Sequence, residues 1–420
     1  MQNWAGNLTY SAARVERPTS IDQLAALVAA AERVHAVGSR HCFNDVADTT
    51  GTLISTEHLR RIDPVDTTGP MPTVTIDSGV TYGQLGPVLH AQGYALPNLA
   101  SLPHVTVAGA TATATHGSGE SLGCLSTSVS GIEFILADGS IRRVVRGDAD
   151  FDGAVVNLGA LGVVSRLTLD LMPTFEIEQT VIEDVPMDAF AADLDAIVGS
   201  VYSISGFTNW RQPRFHQVWL KALAGRSPFD LTRTGGRRAT RPLHPIEGLG
   251  LASDGADADA CTRQLGIAGP WHERLTHFRI EFTPSSGDEL QSEYFVPREH
   301  AAAAIKAVMP LGEQIAAVVQ TSELRFIAAD ELWMSMFYRR PSVAFHFTWR
   351  NDWPAVRALL PKIEAALAPF EPRPHWGKLF TMPKERVLAV TPNVERFRQL
   401  CEATDPLGKF RNRYLERHGL

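Results

Sequence analysis

The chain has 420 residues, 44% of them apolar and 20% charged, enough to bury more than one ordinary core, so two domains or one elaborated domain are expected. A formal net charge of −7 argues against nucleic acid or an anionic membrane as partner, and no run approaches the roughly 18 apolar residues of a membrane-spanning helix. The opening MQNWAGNLTY lacks both a basic and an apolar leader segment. Cys42, Cys124, Cys261 and Cys401 lie far apart with no CxxC, the pattern of reduced thiols in a cytosolic protein rather than a disulfide frame or metal site.

In chain order, TSIDQLAALVAAAERV starts with a capping box, Ser20 with Gln23, and carries apolar residues at Ile21, Leu24, Leu27, Val28 and Ala31. That spacing predicts an amphipathic helix. VHAVGS follows as a strand, then TVTID (Thr73 to Asp77) as another. TYGQLGPVLHAQG predicts a helix between a Thr81–Gln84 start and a Gly93 stop. GIEFILADGSIRRVV reads as a hairpin turned at Asp138-Gly139, and LGALGVVSRLTLDLMP as a glycine turn entering a long strand that Pro173 closes. Residues 97 to 119, PNLASLPHVTVAGATATATHGSG, are small, nearly uncharged and without helical period. Such a stretch is either a loop packed under a sheet or a place where backbone approaches a large flat ligand closely.

Beyond Pro173 strands and helices mix, and PREHAAAAIKAVMPLGEQIAAVV predicts a helix over 297–319. Residues 225 to 260 form an irregular excursion with no functional signal. Polar groups then recur at alternate positions inside apolar runs: Glu323 and Arg325 in SELRFIA, His346 and Thr348 in VAFHFTW, with Lys378 in PHWGKLF. Each strand could simply have one solvated face. If the strands are neighbours, these groups instead line one wall suited to a polyhydroxylated substrate.

Earlier, AVGSRHCFND places His41 after a strand and a Gly-Ser turn whose amides could hold an anion. His41, His104 and His116 could equally be caps or core histidines. The G-x-G in GSGESLG has no strand-to-helix context for a dinucleotide fold. No Walker loop, G-x-S-x-G elbow or HExxH occurs, and a hydrolase built on Ser101 has no local signature.

VGSRHCFND, ALPNLASLPHVTVAGATATATHGSG, NLGALGVVSRLTL, HWGK and DPLGKFRN, in that order, resemble the FAD-dependent oxidoreductases of the vanillyl-alcohol-oxidase superfamily. Within it the sequence is most similar to the alditol oxidases, with the aldonolactone oxidoreductases as sister group. The likeness spans nearly the whole chain except 225 to 260. It implies a two-domain α+β fold: a PCMH-type FAD-binding domain over 1–172, completed by 381–420 as DPLGKFRN returns to the flavin, and a substrate-binding cap with a large antiparallel sheet over 173–380.

The resemblance implies that the GSRHCFN loop holds the FAD pyrophosphate on backbone amides and that His41 is joined to the 8α-methyl of the flavin ring. Val37, Gly38, Ser39, Arg40, Cys42, Ser101, Thr106, Gly109, Thr113, Ala114, Thr115, His116, Gly162 and Val164 match cofactor-contacting positions. A second, cysteinyl link is not expected, because its position is Leu102; Cys42 and Cys124 would be bystanders to the linkage. Arg40 stands where relatives often have Gly, so a positive φ there would mean strain. Ala100 stands where relatives vary between Gly and Ala and where bulk restricts dioxygen.

Glu323, Arg325, His346, Thr348 and Lys378 match the polyol site, joined by Ser101. The activity implied is oxidation of the terminal alcohol of an alditol such as xylitol or sorbitol to the aldose, with hydride passing from C1 to flavin N5 and O2 becoming H2O2. Arg325 and Lys378 would stabilise developing negative charge, His346 would accept the proton, and Glu323 would orient Arg325. The alternative is an oxidase or dehydrogenase of an L-gulono- or D-arabinono-1,4-lactone type substrate. Small molecules alone are expected as partners of a cytosolic monomer, with no metal.

Overall fold

The computed structural model describes residues 1–246, 258–282 and 288–420. The first third makes two small sheets. β1 (Arg14–Glu16), β2 (Val34–Val37) and β3 (Thr52–Ser55) pair in parallel, in the order β1-β3-β2. α1 (Ile21–Ala30) is the crossover between β1 and β2. Ser20 Oγ accepts from the Gln23 N–H at 3.2 Å, but the Gln23 side chain accepts from Thr19 N at 2.8 Å, so the reciprocal half of the expected box is displaced by one residue. α2 (Tyr82–Ala91) has the complete Thr81–Gln84 box and stops before Gly93, whose φ of 84° only glycine adopts without cost.

β4 (Thr73–Asp77), β5 (Val129–Ile135), β6 (Ile141–Val145) and β7 (Val163–Asp170) form an antiparallel sheet in the order β4-β7-β5-β6. Burial alternates along the whole of β7, because one face covers the core and the other does not. Residues 97–119 are not wholly irregular as expected: Val107–Ala112 close into a short helix, α3. Its buried Val107, Ala110 and Thr111 take their burial from tertiary packing, which the small-residue composition concealed.

The middle of the chain builds one large antiparallel sheet. β8 (Glu176–Pro186), β9 (Ser203–Thr208), β10 (Arg214–Leu223), β11 (Glu289–Pro297), β12 (Val319–Ile327) and β13 (Ser342–Arg350) run in the order β8-β10-β9-β12-β13-β11. One face is apolar: Leu324, Phe345, Phe347 and Trp349 share a core with Ala304, Ile305, Val308, Ile315, Leu360 and Ile363. Those last residues come from α4 (Ala301–Val308), α5 (Gly312–Val318) and α6 (Trp353–Leu367). The single helix expected over 297–319 is two, separated by a tight turn at Met309–Leu311, because Pro310 cannot continue the hydrogen-bond ladder. Taken as one span, Arg298–Val318 is long and apolar enough to cross a membrane, contrary to the expectation of no such run; its buried side belongs to this core.

The chain closes with α7 (Lys384–Ala389), α8 (Val394–Thr404) and α9 (Arg413–His418). DPLGKFRN packs behind the His41 loop. Lys409 Nζ donates to the carbonyls of Val28, Ala29 and Ala137, and Asn412 Nδ2 donates to those of Val46 and Asp48. None of residues 405–412 lines the main cavity; the segment braces the loop from behind. Within 225–260, residues 247–257 lie outside the described residues; Arg237–Arg238 adds to the edge of β8.

Candidate active site

The polar face of the large sheet looks into a cavity of about 850 Å³, closed on the other side by the His41 loop, the 97–119 stretch and the start of β7. Register explains how one wall comes to carry so many polar groups. Glu293 on β11, His346 on β13 and Glu323 on β12 are directly paired across three strands, and Gln291, Thr348 and Thr321 form the next row. On the other side of the Glu323 row, Arg325 faces Ala344, whose small side chain leaves the guanidinium room. Lys378 is not on a strand: it follows the Arg373–Pro374 edge pair and the Trp376-Gly377 turn.

The His41 loop fixes that turn. Asn44 Nδ2 donates to the carbonyls of both Trp376 and Lys378 at 2.8 Å, and Phe43 N donates to Gly377 O at 2.8 Å. The backbone that presents His41 and the backbone that presents Lys378 are thus one unit.

All the sequence-derived candidates line the cavity except Ala114: Val37, Gly38, Ser39, Arg40, His41, Cys42, Ser101, Thr106, Gly109, Thr113, Thr115, His116, Gly162 and Val164 on one side, and Glu323, Arg325, His346, Thr348 and Lys378 on the other. Ala114 is fully buried behind the wall with φ 51°, so it shapes the turn rather than facing the space. Arg40 does have a positive φ, 61°, and its Nη1 donates to Gln2 O at 2.9 Å.

Charges in the wall come in buried pairs. Lys378 Nζ lies 2.7 Å from Glu293 Oε2, and His116 Nε2 lies 3.2 Å from Glu293 Oε1. Burial alone would raise the Glu293 carboxyl, but Lys378 and His116 hold it well below the usual range. Burial lowers the Lys378 ammonium, and Glu293 opposes that fall. Arg325 pairs with Glu323 Oε2, while His277 Nε2 meets Glu323 Oε1 at 2.8 Å. The Glu323 carboxyl, which burial would raise, is likewise held well below its ordinary value by Arg325 and His277.

Burial, reinforced by the Lys378 charge, pushes His346 down to about 4. Its Nδ1 lies 3.7 Å from Glu323 Oε2, and its Nε2 is buried with no partner. A neutral imidazole whose Nε2 has no partner can accept a proton, although burial makes it a weaker base than a free imidazole.

The sequence reading missed Glu289, Gln291 and Glu293, although they alternate in ELQSEYFVP just as Glu323 and Arg325 do in SELRFIA. It also passed over His277 and His375, which sit in irregular segments without a period to expose them, and His244 to Ile246, which line the cavity from within the 225–260 stretch.

The other side of the cavity fits FAD. His41 Nδ1, Ser78 Oγ, Ser101 Oγ and Thr106 Oγ1 are buried without partners, as acceptors and donors awaiting a polar ligand would be. Close backbone approach is required there: a Cβ on Gly38 would come 2.0 Å from Thr106 Oγ1, and one on Gly109 2.8 Å from the same atom. Burial, aided by His104, lowers His41 to about 4, keeping its ring neutral.

Residues 12–145 match the FAD binding domain family, and residues 288–418 match the D-arabinono-1,4-lactone oxidase family. The chain is 46% identical over 98% of its length, and 97% of the relative's, to an alditol oxidase of a Streptomyces species. It is 28% identical over 99% of its length, and 98% of the relative's, to an L-gulono-1,4-lactone dehydrogenase of Mycobacterium tuberculosis. A solvent-stable cholesterol oxidase shares the fold, with a TM-score of 0.80 at 16% identity over 100% of this chain and 97% of that one.

Fold, cavity and matched families together define an FAD-dependent oxidoreductase that acts on CH–OH groups. The chain belongs to the alditol oxidase family, in the aldonolactone oxidoreductase branch of the vanillyl-alcohol-oxidase superfamily.

Proposed function

We propose that the protein oxidises the terminal primary alcohol of an acyclic polyol, such as xylitol or sorbitol, to the aldose, and that dioxygen takes up the electrons as H2O2. The observation that carries this reading is the wall formed by Glu323, Arg325, His346, Thr348 and Lys378, gathered on one cavity from three separate segments. In this reading residues 1–172 hold the cofactor, 381–420 complete that domain from behind the His41 loop, and 173–380 hold the substrate.

FAD, when bound, supplies at N5 the acceptor for the hydride that leaves C1. The residues do the rest. Arg325 and Lys378 are cations in a water-poor wall and stabilise the alkoxide that develops as the hydroxyl proton leaves. His346 Nε2 takes that proton, and Glu323, 3.7 Å from His346 Nδ1, stabilises the resulting imidazolium. Ser101 and Thr348 orient substrate hydroxyls, each hydrogen bond contributing roughly 0.5–1.5 kcal/mol net. The unpartnered Nδ1 of a neutral His41 supports a single covalent attachment of the flavin, and Leu102 on the cavity wall offers no thiol for a second. The enzyme works as a cytosolic monomer on small molecules alone.

A second reading, oxidation of a sugar 1,4-lactone, is favoured by the match of residues 288–418 to a lactone oxidase family. Steady-state turnover of xylitol and sorbitol against gulono- and galactonolactone decides between them. Polyol turnover with peroxide release is expected, and preference for the lactones would overturn the first reading. The flavin is expected to stay with acid-precipitated wild-type protein and to be released from His41→Ala.

A further inference from the structure

From Glu323 a buried polar chain that the reaction above leaves unused runs through His277, on the cavity wall, to Lys221 behind it. Lys221 sits in β10 between apolar neighbours and is 1% exposed. Its Nζ donates to Leu275 O at 2.6 Å and Thr276 O at 2.9 Å, and lies 3.2 Å from His277 Nδ1, so three acceptors meet three ammonium hydrogens. Among the described residues no carboxylate pairs with Lys221 directly. Because His277 Nδ1 accepts, the ring proton resides on Nε2, the nitrogen 2.8 Å from Glu323 Oε1. Ser205 Oγ lies 3.4 Å from the same nitrogen. The other Glu323 oxygen serves Arg325 and faces His346. Lys221, His277, Glu323 and His346 therefore make one connected line from β10 to β13.

We propose that Lys221 and His277 are positioning residues for this oxidation: Lys221 sets the His277 tautomer, His277 then holds Glu323 ionised and oriented, and Glu323 in turn readies His346 for the substrate proton. The proposal rests on the polyol-oxidation reading.

A buried ammonium that no anion contacts is costly to desolvate, so stability alone is a poor account of Lys221. Burial pushes its ammonium down to about 7, with Glu323, Arg325 and the Cys261 thiol as the other ionisable groups facing it and His277 in contact. The line is thus loaded with charge below neutrality and unloaded above it. If the ammonium loses its proton, His277 can turn an unprotonated nitrogen toward Glu323, which the carboxylate repels.

The test is anaerobic reduction of the enzyme-bound flavin by xylitol as a function of pH, with thermal melting alongside, in wild type, Lys221→Met, His277→Gln and His277→Leu. Lys221→Met, which leaves Leu275 O and His277 Nδ1 without their donor, is expected to melt somewhat lower than wild type while staying folded, to reduce its flavin at least tenfold more slowly, and to lack a limb near neutrality that wild type shows. His277→Gln, whose amide can accept from Lys221 and donate to Glu323, is expected to recover most of the rate that His277→Leu loses. In ¹⁵N spectra of wild type, His277 should carry its proton on Nε2.

A wild-type rate and pH profile in Lys221→Met, whatever its melting temperature, would overturn the proposal. So would equal rates in the two His277 variants, or a proton on Nδ1. Absence of polyol oxidation by wild type would instead sink the functional reading, and the tautomer would still report on the chain of contacts.

Discussion

Replacing Glu293 by Gln preserves volume and removes one charge from the centre of the polar wall. Glu293 is 1% exposed, and its Oε2 is 2.7 Å from Lys378 Nζ. At that separation, taken from the structure, the attraction is about 6 kcal/mol at an effective dielectric of about 20. Leaving Lys378 charged and unpaired would cost about 3–5 kcal/mol. The cheaper outcome is that Lys378 gives up its proton.

Its ammonium is already lowered by burial and held up by Glu293, so the substitution lowers it further. Lys378 is a cation only below its folded pKa, and the alkaline limb of flavin reduction should therefore move to lower pH. Above that limb, loss of one charge that stabilises the alkoxide is expected to slow reduction by about 10²–10³-fold. Anaerobic stopped-flow of Glu293→Gln across pH, with flavin content measured on the same samples, reads both effects. An unchanged alkaline limb with full flavin content would refute the idea that Glu293 keeps Lys378 charged.

Gly38→Ala should load poorly with flavin, because its Cβ would meet Thr106 Oγ1 at 2.0 Å and crowd the loop at a cost of about 1–3 kcal/mol; flavin content matching wild type after purification would contradict the close approach. Acid should destabilise the fold early. His35, His277 and His346 are each pushed by burial from 6.5 down to about 4, so the unfolded chain binds more protons between those values. The stability they contribute is complete above 6.5 and is lost as pH falls toward 4; melting temperatures that stay level across that window would count against neutral buried histidines.

Periodicity made much of this molecule legible. Glu323 with Arg325, and His346 with Thr348, alternate because each pair lies in a strand with one apolar face, and the capping residues of α1 and α2 stand where the helices begin. The same alternation marks Gln291 and Glu293, so they were readable in principle. His277 was not, since it reaches Glu323 from an irregular segment 46 residues away. Nor was the break at Pro310 allowed for, although a single residue carries it.

What residues 1 to 420 determine by themselves is which side chains are polar, which faces are apolar, and that a histidine follows a Gly-Ser turn, because these depend on neighbours within a few positions. Tertiary structure decided the rest. Register across β11, β13 and β12 put Glu293, His346 and Glu323 in one row, and Asn44 tied the His41 loop to Lys378 across 334 positions. Strand order and loop closure are settled by long-range packing, and only that packing turns separate polar residues into one desolvated wall.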